Sequence, residues 1–292
     1  MGDKSIDYIK PDVIHFHHYT NFGLDAFEII KEHCNLPILL TLHEYLMICH
    51  HNGQMVKHPS MKLCKVSSPA ECNACYPDIS AGKFFLREQI IKHNLAFVDH
   101  FISPSEFLAQ RYRQWGVKDD KISVIENLLP QELINQAALL DKPIAPDFAD
   151  PKQKLRLSYF GQINPYKGAP LLLDAIESLP IKYRKRVELI IFGANLEYQP
   201  DEFRLKLSAQ LERLGASCTL YGSYRNEDVI ELMRSVDWLV IPSTWWENSP
   251  LVIQEAKLAE VPILGSNIGG MKEKIIPGGS GDHFICGSST SL

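Results

Sequence analysis

Short apolar runs alternate with longer stretches of helical spacing along the whole chain. In the first half, 12–17 (DVIHFH) and 37–42 (PILLTL) are continuous enough for buried strands, and 22–33 has helical periodicity between them. A long stretch without period follows, 43–80. The pattern then predicts a helix over 83–97, a strand over 100–103, a helix over 106–115 stopped by Gly116, and a strand over 121–125 (KISVI). The second half is more regular. Strands are predicted at 155–160, 187–192, 218–221, 238–241 and 262–265, with helical stretches at 169–179, 201–214, 226–235 and 250–260. Strict alternation of continuous apolar strands with helices implies α/β architecture, a parallel sheet covered on both faces. Ligands of such sheets bind beyond the carboxyl ends of the strands, so the loops after each strand are the ones to inspect.

Length sets the number of domains. A chain of 292 residues fits about two. The segment 127–153 holds Pro130, Pro143, Pro146 and Pro151, and its second half reads as an interdomain linker. The expected organisation is 1–127, a linker at 128–153, and 154–292. The formal net charge of -5 argues against nucleic-acid binding driven by bulk charge. No apolar run is long enough to span a bilayer, and the N-terminus MGDKSIDYIKPDV lacks the apolar core of an export signal. A cytoplasmic location is therefore expected, extending to peripheral contact on the inner face of a membrane.

Two loops of the second half can carry chemistry. After 155–160 comes Gly161-Gln162-Ile163-Asn164-Pro165-Tyr166-Lys167-Gly168, then a helix. A helix N-terminus beside a lysine is an anion site, although a plain turn with a solvated Lys167 fits the spacing too. After 238–241 comes PSTWWENSP, with Ser249 as N-cap and Pro250 as first helical residue of the next helix. Glu247 stands just before that helix and Glu255 inside it. Free N–H groups of the first turn can hold a diphosphate, and the two carboxylates can accept from sugar and ribose hydroxyls. Two solvated glutamates on a capped surface helix is the competing reading. A third, glycine-bearing loop, Gly265-Ser266-Asn267-Ile268-Gly269-Gly270, is weak alone. In the first half, His15, His17 and His18 crowd the end of one strand and His43 ends the next.

Taken together these segments resemble one family. PSTWWENSPLVIQEA places Glu247 and Glu255 in the E-x7-E arrangement of glycosyltransferase family 4. FGQINPYKG and PILGSNIGG resemble its phosphate loop and the loop beside its donor, and HFHHYTNFG and LLTLHEY resemble segments of its N-terminal domain. The resemblance implies a GT-B fold, two Rossmann-like domains facing a cleft. It implies a retaining glycosyltransferase (hexosyltransferase-like) that moves a sugar from a nucleotide-diphosphate sugar to a glycan or lipid-linked acceptor, as in bacterial polysaccharide biosynthesis. By motif match, Glu255 holds the ribose, Glu247 binds the transferred sugar, Lys167 neutralises the leaving diphosphate, and His43 borders the sugar. The donor-binding set also includes Gly161, Gln162, Asn248, Ser249, Pro250, Leu251 and Gly269. No D-x-D occurs in the sequence, which favours diphosphate departure without a metal or other cofactor.

There are departures from the family pattern. Gln162 stands where an arginine is frequent. The N-terminal domain is expected to be incomplete, with no counterpart of the family's first strands before Pro11, and GGSGDHFICGSSTSL replaces the usual closing helix. A truncated or fragmentary enzyme, or a non-catalytic nucleotide-sugar-binding remnant, is the alternative these departures raise; a relative that isomerises or phosphorolyses sugars fits the E-x7-E arrangement less well.

Two features lie outside the resemblance. Cys49, Cys64, Cys72 and Cys75, spaced C-x14-C-x7-C-x2-C in the long 43–80 stretch, can bind a structural zinc or remain free thiols. The segment 83–95 (KFFLREQIIKHNL) mixes Lys83, Arg87 and Lys92 with bulky apolar residues, which suits either an anionic membrane surface or packing on the sheet.

Overall fold

A computed structural model describes residues 6, 8–143, 150 and 152–292. Pro146 and Pro151 of the expected linker lie outside them. The chain divides into two compact units between Glu126 and Asn127.

The first unit contains β1 (Ile14–Phe16), α1 (Ala26–Cys34), β2 (Ile38–Thr41), α2 (Pro69–Cys75), α3 (Ala81–Leu95), β3 (His100–Ser103), α4 (Glu106–Trp115) and β4 (Ile122–Val124). The strands form one parallel sheet in the order β1-β2-β3-β4. Ser80 and Ser105 cap α3 and α4 through side-chain oxygens that accept the N–H groups of Lys83 and Leu108. Helix α2 was not foreseen within the stretch 43–80. Seven residues long, and with none of them buried, it has no apolar stripe to betray it. Its sequence signal is the cap: Ser68, Pro69 at the first helical position, and Glu71 in the first turn.

Helix α3 buries one set of its apolar residues and exposes another. Phe84, Ile91 and Leu95 are buried, while Phe85, Leu86 and Ile90 are exposed. Two of its cations are already engaged, since Arg87 donates to the carbonyls of Leu46 (2.6 Å) and Met47 (3.0 Å) and Lys92 to Glu88 (2.6 Å). Among the described residues no helix is long and apolar enough to cross a membrane.

The second unit opens with α5 (Gln131–Leu139) and continues through β5 (Leu155–Gln162), α6 (Ala169–Ser178), the short α7 (Ile181–Arg184), β6 (Val187–Ala194), α8 (Asp201–Leu214), β7 (Cys218–Gly222), α9 (Val229–Arg234), β8 (Trp238–Ile241), α10 (Leu251–Leu258), β9 (Ile263–Ser266), α11 (Gly269–Lys274) and β10 (Gly281–Phe284). All strands are parallel, in the order β10-β9-β8-β5-β6-β7. Neighbouring residues of one strand face opposite cores. Phe160, Phe192, Leu239 and Ile241 join α5, α9, α10 and α11 on one face. Tyr159, Ile191 and Val240 join α6 and α8 on the other. That two-sided burial is why these strands read as unbroken apolar runs.

Strand order matters for the site. From β5 the chain steps outward to β6 and β7, then returns beside β5 as β8 and steps outward the other way. The reversal falls between β5 and β8, where an open α/β sheet forms a crevice at its carboxyl edge.

Candidate nucleotide-sugar site

The loops that leave β5 and β8 meet at that reversal. Gly168 has φ +76, and a Cβ there would collide with the carbonyl oxygen of Pro242. Glycine therefore permits the backbone of the β5 loop to lie directly on the β8 loop. Thr244 N–H donates to the Tyr166 carbonyl (2.8 Å), and the rings of Tyr166 and Trp245 stack at 5.2 Å. The loop after β9 closes the other side. Gly270 N–H donates to the Glu247 carbonyl (2.8 Å), and a Cβ on Gly270 would collide with the carbonyl oxygen of Asn248.

This interlock fixes Glu247. Its residue is 6% exposed. One carboxylate oxygen, Oε1, accepts from Lys167 Nζ (2.7 Å), Ser243 Oγ (2.8 Å) and Trp245 Nε1 (2.8 Å). A carboxylate held by three donors at one oxygen has a set orientation, and the second oxygen retains its capacity to accept. Lys167 is thus no solvated turn lysine. The loop's Asn164 side chain accepts the N–H groups of Tyr166 and Lys167, both at 3.0 Å, which folds it into a tight turn under the lysine.

Glu255 lies in the second turn of α10 and is 7% exposed. Burial pushes its carboxyl up to about 6. Its charge in turn raises the Tyr224 hydroxyl to about 12, after the larger effect of burial. Tyr224 packs edge-on against Phe160, near the end of β5.

The other expected donor residues fall around this centre with mixed surroundings. Gly161 and Gln162 end β5; the Gln162 carbonyl accepts from Tyr159 (2.6 Å), and its side chain is exposed. Ser249 is not the N-cap expected for α10. The helix starts one residue later, with Pro250 in the cap position and Leu251 first. The Ser249 hydroxyl is buried and makes no hydrogen bond. Extended backbone at Pro250 (ψ 121) keeps Ser249 outside capping reach of the first turn. Asn248 borders Gly270 as described, Leu251 is half-exposed, and Gly269 begins α11 at φ +57.

Sequence reasoning missed Ser243 and Trp245 as the side chains that orient Glu247. It also missed a cavity of about 800 Å³ at the carboxyl ends of β6 and β7, lined by Gly193, Ala194, Leu196, Gly222, Ser223 and Arg204 among others. Lys167, Glu247 and Glu255 do not line it; Ile163, in the loop that carries Lys167, does. The available signal was the glycine at or next to the end of each strand, Gly193 and Gly222, since every carboxyl end of such a sheet is a candidate.

In the first unit, His43 follows β2. Its Nε2 lies 3.1 Å from His17 Nδ1, and the two rings stack at 5.3 Å. Burial, then the neighbouring His17, His18 and His15, lower its pKa. Glu44, beside it in sequence, was overlooked. Burial raises its carboxyl to about 7 despite a hydrogen bond from the Leu46 N–H.

The second unit is thus a doubly wound parallel sheet with a lysine–glutamate pair and a helix start at its switch point, the α/β class whose ligands bind at that edge. The chain belongs to the glycosyl transferases group 1 family, whose model matches residues 142–292; residues 3–132 match Glycosyltransferase Family 4. A stretch of 131 residues is 28% identical to the lipopolysaccharide 1,2-N-acetylglucosaminetransferase of Salmonella typhimurium, covering 44% of this chain and 34% of that protein. Another of 158 residues is 24% identical to the uncharacterized glycosyltransferase MJ1178 of Methanocaldococcus jannaschii, covering 54% of this chain and 42% of that protein. The aligned stretches thus span less than half of these relatives. Among solved structures, Anabaena Alr3699/HepE in complex with UDP superposes with a TM-score of 0.67 at 19% identity, covering 99% of this chain and 69% of that one. Sucrose-phosphate synthase from Thermosynechococcus elongatus superposes with a TM-score of 0.70 at 17% identity, covering 99% and 64%. These likenesses establish the fold as GT-B.

Proposed function

We propose that this chain acts as a retaining glycosyltransferase that moves a sugar from a nucleotide-diphosphate sugar to a glycan or lipid-linked acceptor. Its main support is the Lys167–Glu247 pair of 2.7 Å, held where the β5, β8 and β9 loops interlock at the opening of α10. Glu247 accepts hydroxyls of the transferred sugar, and Glu255 accepts the ribose hydroxyls. Lys167, with three ammonium protons, spans Glu247 and the diphosphate. When the bond between the anomeric carbon and the diphosphate breaks, its electron pair goes to the leaving oxygen. Lys167 and the N–H groups opening α10 oppose that growing negative charge, and being preorganised they do so without reorientation. The acceptor hydroxyl attacks the same face, its oxygen bonds to the anomeric carbon, its proton passes to the departing diphosphate oxygen, and configuration is retained. Departure needs no metal under this proposal. His43 is assigned by its motif to border the sugar, and the exposed apolar side chains of α3 suit peripheral contact with a membrane that holds a lipid-linked acceptor.

A thermal-shift screen against UDP-, GDP- and ADP-sugars tests the donor site, followed by product analysis with the donor that binds. One nucleotide class is expected to raise Tm, and Glu255→Ala to abolish the rise. No response to any donor would sink the proposal. Binding without transfer or hydrolysis would favour the non-catalytic alternative.

A further inference from the structure

The segment 43–80 is organised around sulfur. Cys49 ends a tight turn, its N–H donating to the Tyr45 carbonyl at 2.7 Å. The Cys49 side chain is buried. The chain then makes a small antiparallel excursion. Val56 pairs with Leu63, Lys57 N–H donates to Lys62 (2.7 Å), and Cys64 N–H donates back to Met55 (2.8 Å). Cys64 is thereby returned beside Cys49. Helix α2, capped by Ser68, carries Cys72 and Cys75 three residues apart, on one face. All four cysteines line a single cavity of about 20 Å³. Cys49 and Cys64 are each 8% exposed, and none of the four is in a disulfide.

We propose that Cys49, Cys64, Cys72 and Cys75 bind one Zn²⁺ as a structural tetrathiolate site that staples this segment. Four thiols converging from a turn, a strand end and a helix face is poor apolar packing but a suitable soft ligand set. The cavity has room for about one water-sized occupant, which suits a single ion rather than an iron–sulfur cluster. Each thiol gives up its proton as its sulfur ligates. The resulting negative charge has cationic neighbours, Lys57 and Arg111, in electrostatic reach of Cys64. Among the described residues no three His, Cys, Asp or Glu side chains already stand at metal-binding spacing, so ion binding requires the sulfurs to close inward on the cavity they line. The nearby histidines are otherwise engaged. His50 packs edge-on against Tyr76 and Phe84, and His51 Nδ1 lies 2.9 Å from the Val56 carbonyl oxygen. The four cysteines are remote in sequence from the loops that carry Lys167, Glu247 and Glu255.

The test is metal analysis of the full chain, purified under reducing conditions without chelator. One zinc per chain is expected by mass spectrometry. Cobalt exchange should give sulfur-to-cobalt charge-transfer bands and the intense visible bands of a tetrahedral thiolate site. Cys64→Ser and Cys72→Ser should bring zinc to background and Cys34→Ser should leave it unchanged. Cys72→His should keep the metal with weaker charge-transfer bands, a rescue that a merely unfolded variant cannot show. A folded chain with no zinc, with iron instead, with a disulfide among these cysteines, or with zinc unaffected by Cys64→Ser and Cys72→Ser would overturn the proposal.

Discussion

Lys167 and Glu247 are eighty positions apart in the chain yet share a contact of 2.7 Å. If the lysine takes up the leaving charge, Lys167→Ala lowers kcat by about 10²–10³, the usual loss of one preorganised donor. Initial rates at saturating donor check this, and unchanged kcat would remove Lys167 from the mechanism. Glu255 makes a pH prediction. Its folded-state pKa, about 6, is above the ordinary 4.5, because burial disfavours the charge. Between those values the folded chain binds more protons than the unfolded one, so this group's contribution to stability falls as pH rises through the window. Glu44, raised to about 7, acts in the same direction. Without donor, Tm should therefore decline from about pH 5 to about pH 8, less steeply in Glu255→Gln. Donor affinity should run the opposite way, rising through pH 6 as the carboxylate ionises and its hydrogen bonds to ribose strengthen. Calorimetry across that range that found no rise, or the same rise in Glu255→Gln, would exclude Glu255 as the ribose ligand.

Helices and strands with a periodic apolar face were legible from the sequence. β3, α4, β8 and α8 agree with the expected bounds at both ends. The elements that were not legible are short and have little apolar pattern: α2, α7, α11 and β10. β10 reads Gly281-Asp282-His283-Phe284 and is a strand because β9 pairs with it, a preference supplied by its neighbour rather than by its own residues. Loop glycines gave a partial signal. Their presence near a ligand site was readable, but the backbone each one must accommodate was not. Gly168→Ala should destabilise the second unit by about 1–3 kcal/mol, through left-handed backbone and the collision with Pro242. The same substitution should weaken donor binding by moving Lys167 away from Glu247. A thermal melt and a donor titration report both effects, and an unaltered melt would contradict the packing described for this loop.

The two units differ in what they hold. Lys167, Glu247, Glu255 and the cavity at β6 and β7 all belong to the unit Asn127–Leu292, whose core also takes in Leu133 and Ala137 of α5. A chain of residues 127–292 should therefore bind the donor nucleotide with affinity comparable to the whole chain. Soluble, cooperatively melting 127–292 that binds no nucleotide would show the donor site to be misassigned or incomplete. The fold class was readable at this scale because burial of a parallel sheet on both faces forces unbroken apolar strands. Strand order was not, since apolar runs carry no record of which neighbour each will pair with.

Local periodicity settled where most strands and helices form, because burial imposes its period on the residues themselves. The motif spacing of Glu247 and Glu255 and the glycines near Lys167 marked candidate residues. The meeting of Lys167 and Glu247 was settled only in three dimensions. It depends on β8 returning beside β5, on Gly168 admitting Pro242, and on Ser243 and Trp245 orienting one carboxylate oxygen. Those contacts join residues far apart in the chain, and nothing in the local sequence of either partner encodes the distance between them.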